Sequence, residues 1–194
     1  KAALYCVFKV IANKQKKNNF GVINPNWPTY IDLIKISGGN PLFFNTKIDD
    51  QYDINLLDLE KFIQKKKLRI LVISNPNNPS GKIYHHEIVK KIIDICEKNK
   101  CYLILDESFS SHVFEKKFAQ NNKEYRSKYL IIINSFSKNY HLQGLRLGIV
   151  FANKKLIEEF SNLHIAINGA PNNVAQNLII KQNKKLLKTK DIKH

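Results

Sequence analysis

At 194 residues, 43% of them hydrophobic, the chain is long enough to bury a substantial core, and one domain is the default expectation. The formal net charge is +16, but all but three of the 32 basic residues are lysine, scattered through expected helices among Asn and Ile. Arginine is the side chain suited to reading bases and phosphates, and no element combines basic residues with interleaved aromatics, so nucleic-acid binding is not expected.

Residues 1–13 read as a helix already under way at Lys1, and the chain contains no methionine. An internal piece of a longer protein is therefore expected. Phe20–Ile23 reads as a short strand, Thr29–Ser37 as a helix stopped by Gly38-Gly39, and Pro41–Phe44 as a strand. Leu56–Lys67 has an amphipathic helical pattern. Arg69–Ser74 is an unbroken apolar strand of the kind buried on both faces. His85–Asn99 follows as a helix, with Ile88, Ile92, Ile93 and Cys96 on one side. Strands are expected at Cys101–Leu105, Tyr129–Ile133 and Leu145–Phe151, and helices at Lys154–Leu163 and Asn173–Leu187. This alternation predicts a three-layer α/β/α architecture around a mainly parallel sheet.

No apolar run approaches the length of a membrane span. Cys6, Cys96 and Cys101 are odd in number and match no metal-ligand spacing, which fits a reducing, cytoplasmic setting. His85-His86-Glu87 reads as a helix start, because adjacent histidines point in different directions. His112 and His141 are read as packing or solvent-facing residues, although both lie close in sequence to the groups described next.

Three expected strands end in polar clusters, and in an open α/β sheet ligands bind at the carboxyl ends of strands. The first cluster is Asn75-Pro76-Asn77-Asn78-Pro79-Ser80-Gly81, a loop whose prolines and glycine hold the backbone tightly. The second is Asp106-Glu107-Ser108-Phe109, an acidic pair that is costly after buried aliphatics unless a cation or donor meets it. The third is Ser135-Phe136-Ser137-Lys138, followed by Gly144-Leu145-Arg146-Leu147-Gly148. Alone, the first would read as an Asn- and Pro-rich turn, and the second as a helix cap or a structural ion pair. Together they supply an amide, a carboxylate, two hydroxyls, an amine and a guanidinium. Pyridoxal phosphate needs such a set: a lysine for the Schiff base, an acid for the ring nitrogen, donors for the phosphate.

The order and spacing of these segments resemble the class I/II aminotransferases of pyridoxal-phosphate fold type I, among them the aspartate and histidinol-phosphate enzymes. The resemblance runs from the opening helix to about Asn177 and spans about half of a typical member. It implies a partial large cofactor-binding domain over residues 1–163, and a helical segment, 164–194, leading toward a small C-terminal domain. It also implies roles. Lys138 forms the Schiff base and moves the proton at the substrate Cα, and Asp106 pairs with the pyridinium nitrogen. Asn78 hydrogen-bonds the cofactor's phenolic oxygen, while Ser135, Ser137 and Arg146 bind the phosphate. Trp27 either stacks on the pyridine ring or is a core tryptophan. The implied substrates are an amino acid and a 2-oxo acid, and the implied assembly is a homodimer, with no metal, nucleic acid or membrane.

One position departs from the pattern. Most such transaminases carry a tyrosine three residues after the aspartate, and this chain has Phe109. Without that hydroxyl, Asn78 is the principal donor to the phenolic oxygen. Two alternatives to transamination therefore stay open: a decarboxylase or lyase of the threonine-phosphate decarboxylase type, and an aminotransferase-like regulatory domain without turnover.

Overall fold

The apolar runs pair with one another because neither face of such a strand tolerates water. In a computed structural model, which describes residues 1–14, 18–113 and 125–190, six strands form one sheet. The strands are β1 (Asn19–Asn24), β2 (Asn40–Asn45), β3 (Ile70–Ser74), β4 (Tyr102–Asp106), β5 (Leu130–Ser135) and β6 (Gly148–Phe151). Their order is β2-β1-β3-β4-β5-β6. The first five run parallel, and β6 is antiparallel to β5.

Seven helices complete the described residues: α1 (Ala2–Ala12), α2 (Thr29–Ile36), α3 (Leu56–Lys66), α4 (His86–Lys98), α5 (Phe136–Asn139), α6 (Lys154–Asn168) and α7 (Asn173–Lys190). Period-two alternation divides the core between the two faces of the sheet. Phe20, Val22, Ile70, Val72, Ile104, Ile131 and Ile133 point toward α1, α2 and α6. Leu71, Ile73, Leu103, Leu105, Leu130 and Ile132 point toward α3 and α4. Each fully buried aliphatic contributes about 1.5–3 kcal/mol relative to exposure. The expected three-layer α/β/α fold with a mainly parallel sheet is the one observed.

The chain leaves β1 through α2 on one face to reach β2, then returns over the opposite face through α3 to β3 on the other side of β1. The strand order therefore reverses between β1 and β3, and a crevice opens at the carboxyl ends there. The register puts Ser74 of β3 level with Asp106 of β4, and Asp106 level with Ile133 of β5. All three polar clusters emerge along this one edge.

The differences from the sequence expectations are local. The strand expected from Leu145 begins at Gly148, because Gln143–Leu145 form a 3-10 turn and Arg146 takes a left-handed conformation with φ of 54°. The short α5 has no apolar period to reveal it. The helix expected over Lys154–Leu163 continues to Asn168, where Gly169 at φ of 69° ends it. Positions 191–194 of the expected C-terminal segment lie outside the described residues. No helix among the described residues is long and apolar enough to cross a membrane.

The α2–β2 turn packs without slack. Gly38 has φ of 88°, which closes the helix, and the Gly39 N–H donates to the Ile34 carbonyl at 2.9 Å. A Cβ on Gly39 would lie 2.8 Å from Ile34 Cγ2 and 2.9 Å from Phe20 Cδ2, both on fully buried side chains. Gly39→Ala is therefore expected to cost about 1–3 kcal/mol through overpacking. Urea unfolding should show a lowered midpoint with an unchanged slope. An unmoved midpoint would mean that this corner yields.

Candidate active site

The loop after β1 supplies Trp27 at the start of α2. Its ring is partly buried and meets Tyr30 edge-on at a centroid distance of 5.5 Å, with Lys1 Nζ 5.5 Å from its centroid. Tyr30 lies one helical turn further on and is 2% exposed. Its hydroxyl crosses the crevice and donates to Asp106 Oδ2 at 2.6 Å. The other oxygen, Oδ1, accepts from the Ser108 N–H at 3.0 Å and the Ser108 hydroxyl at 2.6 Å.

Asp106 is 5% exposed, and among the described residues no lysine or arginine side chain forms an ion pair with it. A buried carboxylate satisfied by neutral donors keeps its charge available for a cation brought to it. The chemistry of this donor set fits a protonated ring nitrogen. Burial, then the charge of Asp106, pushes the Tyr30 phenol well above its ordinary value, so that Tyr30 remains a donor.

The loop after β3 is held by Asn75 and Asn77. Asn75 is fully buried and pairs with Tyr84, donating to its carbonyl and accepting from its N–H, each at 2.9 Å. Asn77 Nδ2 donates to the Pro25 carbonyl at 3.2 Å, and its Oδ1 accepts from the Ser80 N–H and hydroxyl. The first of these contacts ties the β3 loop to the Trp27 loop. Asn78 directly follows Asn77 and is half-buried, and among the described residues its amide makes none of the loop's hydrogen bonds.

Beyond β5, Ser135 caps α5 by accepting from the Ser137 N–H at 3.2 Å, which leaves its own hydroxyl proton to donate elsewhere. Lys138 is exposed on this turn. Arg146 gives one N–H from Nη1 to the Gln143 carbonyl at 2.7 Å, and the remaining guanidinium donors are free to meet an anion.

Phe109 packs edge-on against His112 at 5.6 Å, and His112 meets His141 at 6.0 Å, so the two histidines build an aromatic wall beside α5. Cys6, Cys96 and Cys101 are all buried free thiols. Among the described residues no group of three or more potential metal ligands is assembled.

The structure gathers Trp27, Asn78, Asp106, Phe109, Ser135, Ser137, Lys138 and Arg146 on the carboxyl edge of β1, β3, β4 and β5. Sequence reasoning missed Tyr30, Ser108 and Asn139. Tyr30 stands just inside α2, three positions after Trp27, and no local signal in that segment points to Asp106.

A family model described as aminotransferase class I and II matches residues 2–187. The aspartate aminotransferase of Sulfurisphaera tokodaii is 29% identical over 180 residues, covering 91% of this chain and 44% of that protein. The histidinol-phosphate aminotransferase of Clostridium kluyveri is 29% identical over 153 residues, covering 77% of this chain and 40% of that protein. The solved aspartate aminotransferase of Thermotoga maritima superposes with a TM-score of 0.80 at 25% identity, over 90% of this chain and 47% of that one. A tetra mutant of the Thermus thermophilus aspartate aminotransferase reaches a TM-score of 0.82 at 20% identity over 90% and 47%, a likeness of fold alone. The chain spans under half the length of the curated relatives it matches.

Tyr30→Phe leaves Asp106 Oδ2 without its donor, and a loss of about 1–3 kcal/mol near neutral pH is expected. Because the folded phenol is raised above its ordinary value of 10.0, its contribution is fully present below that pH and is lost as pH rises through the folded value. Urea unfolding from about pH 7 to 11 checks both parts. The wild type should lose stability above about pH 10 more steeply than the variant. Parallel curves would remove Tyr30 as the buried donor.

Proposed function

This chain belongs to the aminotransferase class I and II family, and on that footing we propose that it is the cofactor-binding part of a pyridoxal-phosphate enzyme. The proposed reaction exchanges an amino group between an amino acid and a 2-oxo acid. The observation that supports this reading is the buried Asp106 carboxylate, held by neutral donors on the carboxyl edge of the sheet, the edge from which the segments of Asn78, Lys138 and Arg146 also emerge. When bound, pyridoxal phosphate supplies an aldehyde that takes up an amine, and a ring that accepts the electron pair left at the substrate Cα.

The residues of this chain do the rest. Asp106 would keep the ring nitrogen protonated, a charge-assisted contact typically worth about 1.5–3 kcal/mol. Tyr30 and Ser108 hold Asp106 in place. Lys138 Nζ would hold the aldehyde carbon until the substrate amine displaces it, and the amine so freed would take and return the proton at the substrate Cα. Arg146 and the hydroxyls of Ser135 and Ser137 would bind the phosphate, Trp27 would cover the ring, and Asn78 would donate to the phenolic oxygen. Residues 1–163 then belong to the large domain, with 164–194 leading toward a small one, and the intact protein is a cytoplasmic homodimer.

Phe109 favours a second reading on the same fold. Its ring packs on His112 and has no hydroxyl to offer a phenolic oxygen, so decarboxylation or lyase chemistry on a phosphorylated amino acid is the runner-up.

The intact protein loaded with pyridoxal phosphate is expected to show a visible absorption band that Lys138→Ala abolishes together with turnover. A wild type without the band would sink the cofactor reading. A panel of amino acids scored for 2-oxo acid against carbon dioxide release separates the two reactions. Phe109→Tyr restores a donor to the phenolic oxygen and should lower the pH midpoint of the band's colour change. A midpoint that stays or rises would count against the role given to the missing hydroxyl.

A further inference from the structure

The turn that carries Lys138 has no fully buried apolar anchor, only the half-buried Phe136 packed on Tyr140. α5 is four residues long, none of them buried, and Lys138 itself is exposed. The Ser135 cap fixes only its first residues. The side chain directly after the lysine holds the remainder. Asn139 Nδ2 donates to the Glu107 carbonyl at 3.2 Å, to Ser110 Oγ at 3.1 Å and to Asn134 Oδ1 at 2.5 Å, sharing its two protons among three acceptors. Asn139 Oδ1 accepts from the Ser111 N–H at 3.1 Å and the Ser111 hydroxyl at 2.9 Å, and that hydroxyl also lies 3.1 Å from the Asn139 carbonyl.

These partners are not loose ends. Glu107 directly follows Asp106, is fully buried, and donates its N–H to the Ile133 carbonyl of β5 at 2.8 Å. Asn134 Oδ1 also accepts from the Ser135 N–H at 2.7 Å, so the acceptor that receives Asn139 is itself fixed at the end of β5. One amide thus joins the lysine turn to the segment that carries the acid.

We propose that Asn139 is a positioning residue that clamps the Lys138 turn onto the Glu107–Ser111 segment and so fixes the lysine amine relative to Asp106. The inference rests on Lys138 and Asp106 being the amine and the acid of the reaction proposed above. Alanine removes both halves of the clamp. Aspartate keeps the acceptor for Ser111 but cannot donate to Glu107, Ser110 or Asn134. A displacement of about 1 Å at a reacting group costs on the order of a hundredfold in rate.

Two measurements on the full-length protein test this. In the apo form, hydrogen exchange reads the clamp through the amides of Tyr140 and Leu142, which both donate to the Phe136 carbonyl across the turn. Asn139→Ala should speed their exchange by about tenfold or more while the β3 and β4 amides stay protected, and Asn139→Asp should fall between. In the loaded form, visible circular dichroism per unit absorbance reports how the cofactor is held. It should fall in Asn139→Ala, together with a kcat loss of about ten- to a hundredfold and little change in KM. Should the alanine variant fail to fold, Ser111→Ala, at an exposed residue, removes one limb and should speed exchange severalfold. Unchanged exchange in the folded variants overturns the clamp. Faster exchange with unaltered dichroism and kcat overturns the positioning role. A wild type that binds no pyridoxal phosphate sinks the cofactor reading, and with it the positioning role, while the exchange data still decide the clamp.

Discussion

A carboxylate at the end of a doubly buried strand must be satisfied where it stands, and the site is organised around that requirement. Leu103, Ile104 and Leu105 exclude water up to Asp106, so its hydrogen bonds come from protein. Two sources supply them: the Ser108 turn immediately downstream and Tyr30, which approaches from the other side of the switch point. The Tyr30 contact fixes the start of α2 relative to β4, and Trp27 stands one turn earlier on the same segment. Asn77, bonded to Pro25, brings the β3 loop to that same start. The crevice is therefore closed by polar contacts between loops, laid over a rigid apolar sheet.

This division explains what could be read from the sequence. The strand Ile70–Ser74 and its neighbours were legible because burial on both faces demands unbroken aliphatic runs, and polar residues at their carboxyl ends then mark the ligand edge. The contacts that hold the site together were not legible. Tyr30 and Asp106 are 76 positions apart, and nothing local in either segment names the other. Asn139 is hidden by composition, since in a chain rich in asparagine one more beside a lysine carries no signal. The shape of the Arg146 turn was missed for a different reason. A left-handed arginine defies its own backbone preference, and a 3-10 turn before it leaves no periodicity to find.

The two ends of the proposed cofactor site are provisioned unequally. Around the acid, Tyr30 and Ser108 form a dense set of donors, and Asn139 ties the segment that follows it to the lysine turn. On the opposite side the chain offers Phe109, an aromatic ring continued by His112 and His141, and the amide of Asn78. The dense end is what any chemistry drawing electrons into a pyridinium ring requires, whichever bond at Cα breaks. The sparse end is where Phe109 stands with no hydroxyl to offer. In the proposed function the acid that holds the ring and the phenylalanine that bears on the reaction leave the same strand end three residues apart, so one short segment after β4 carries both.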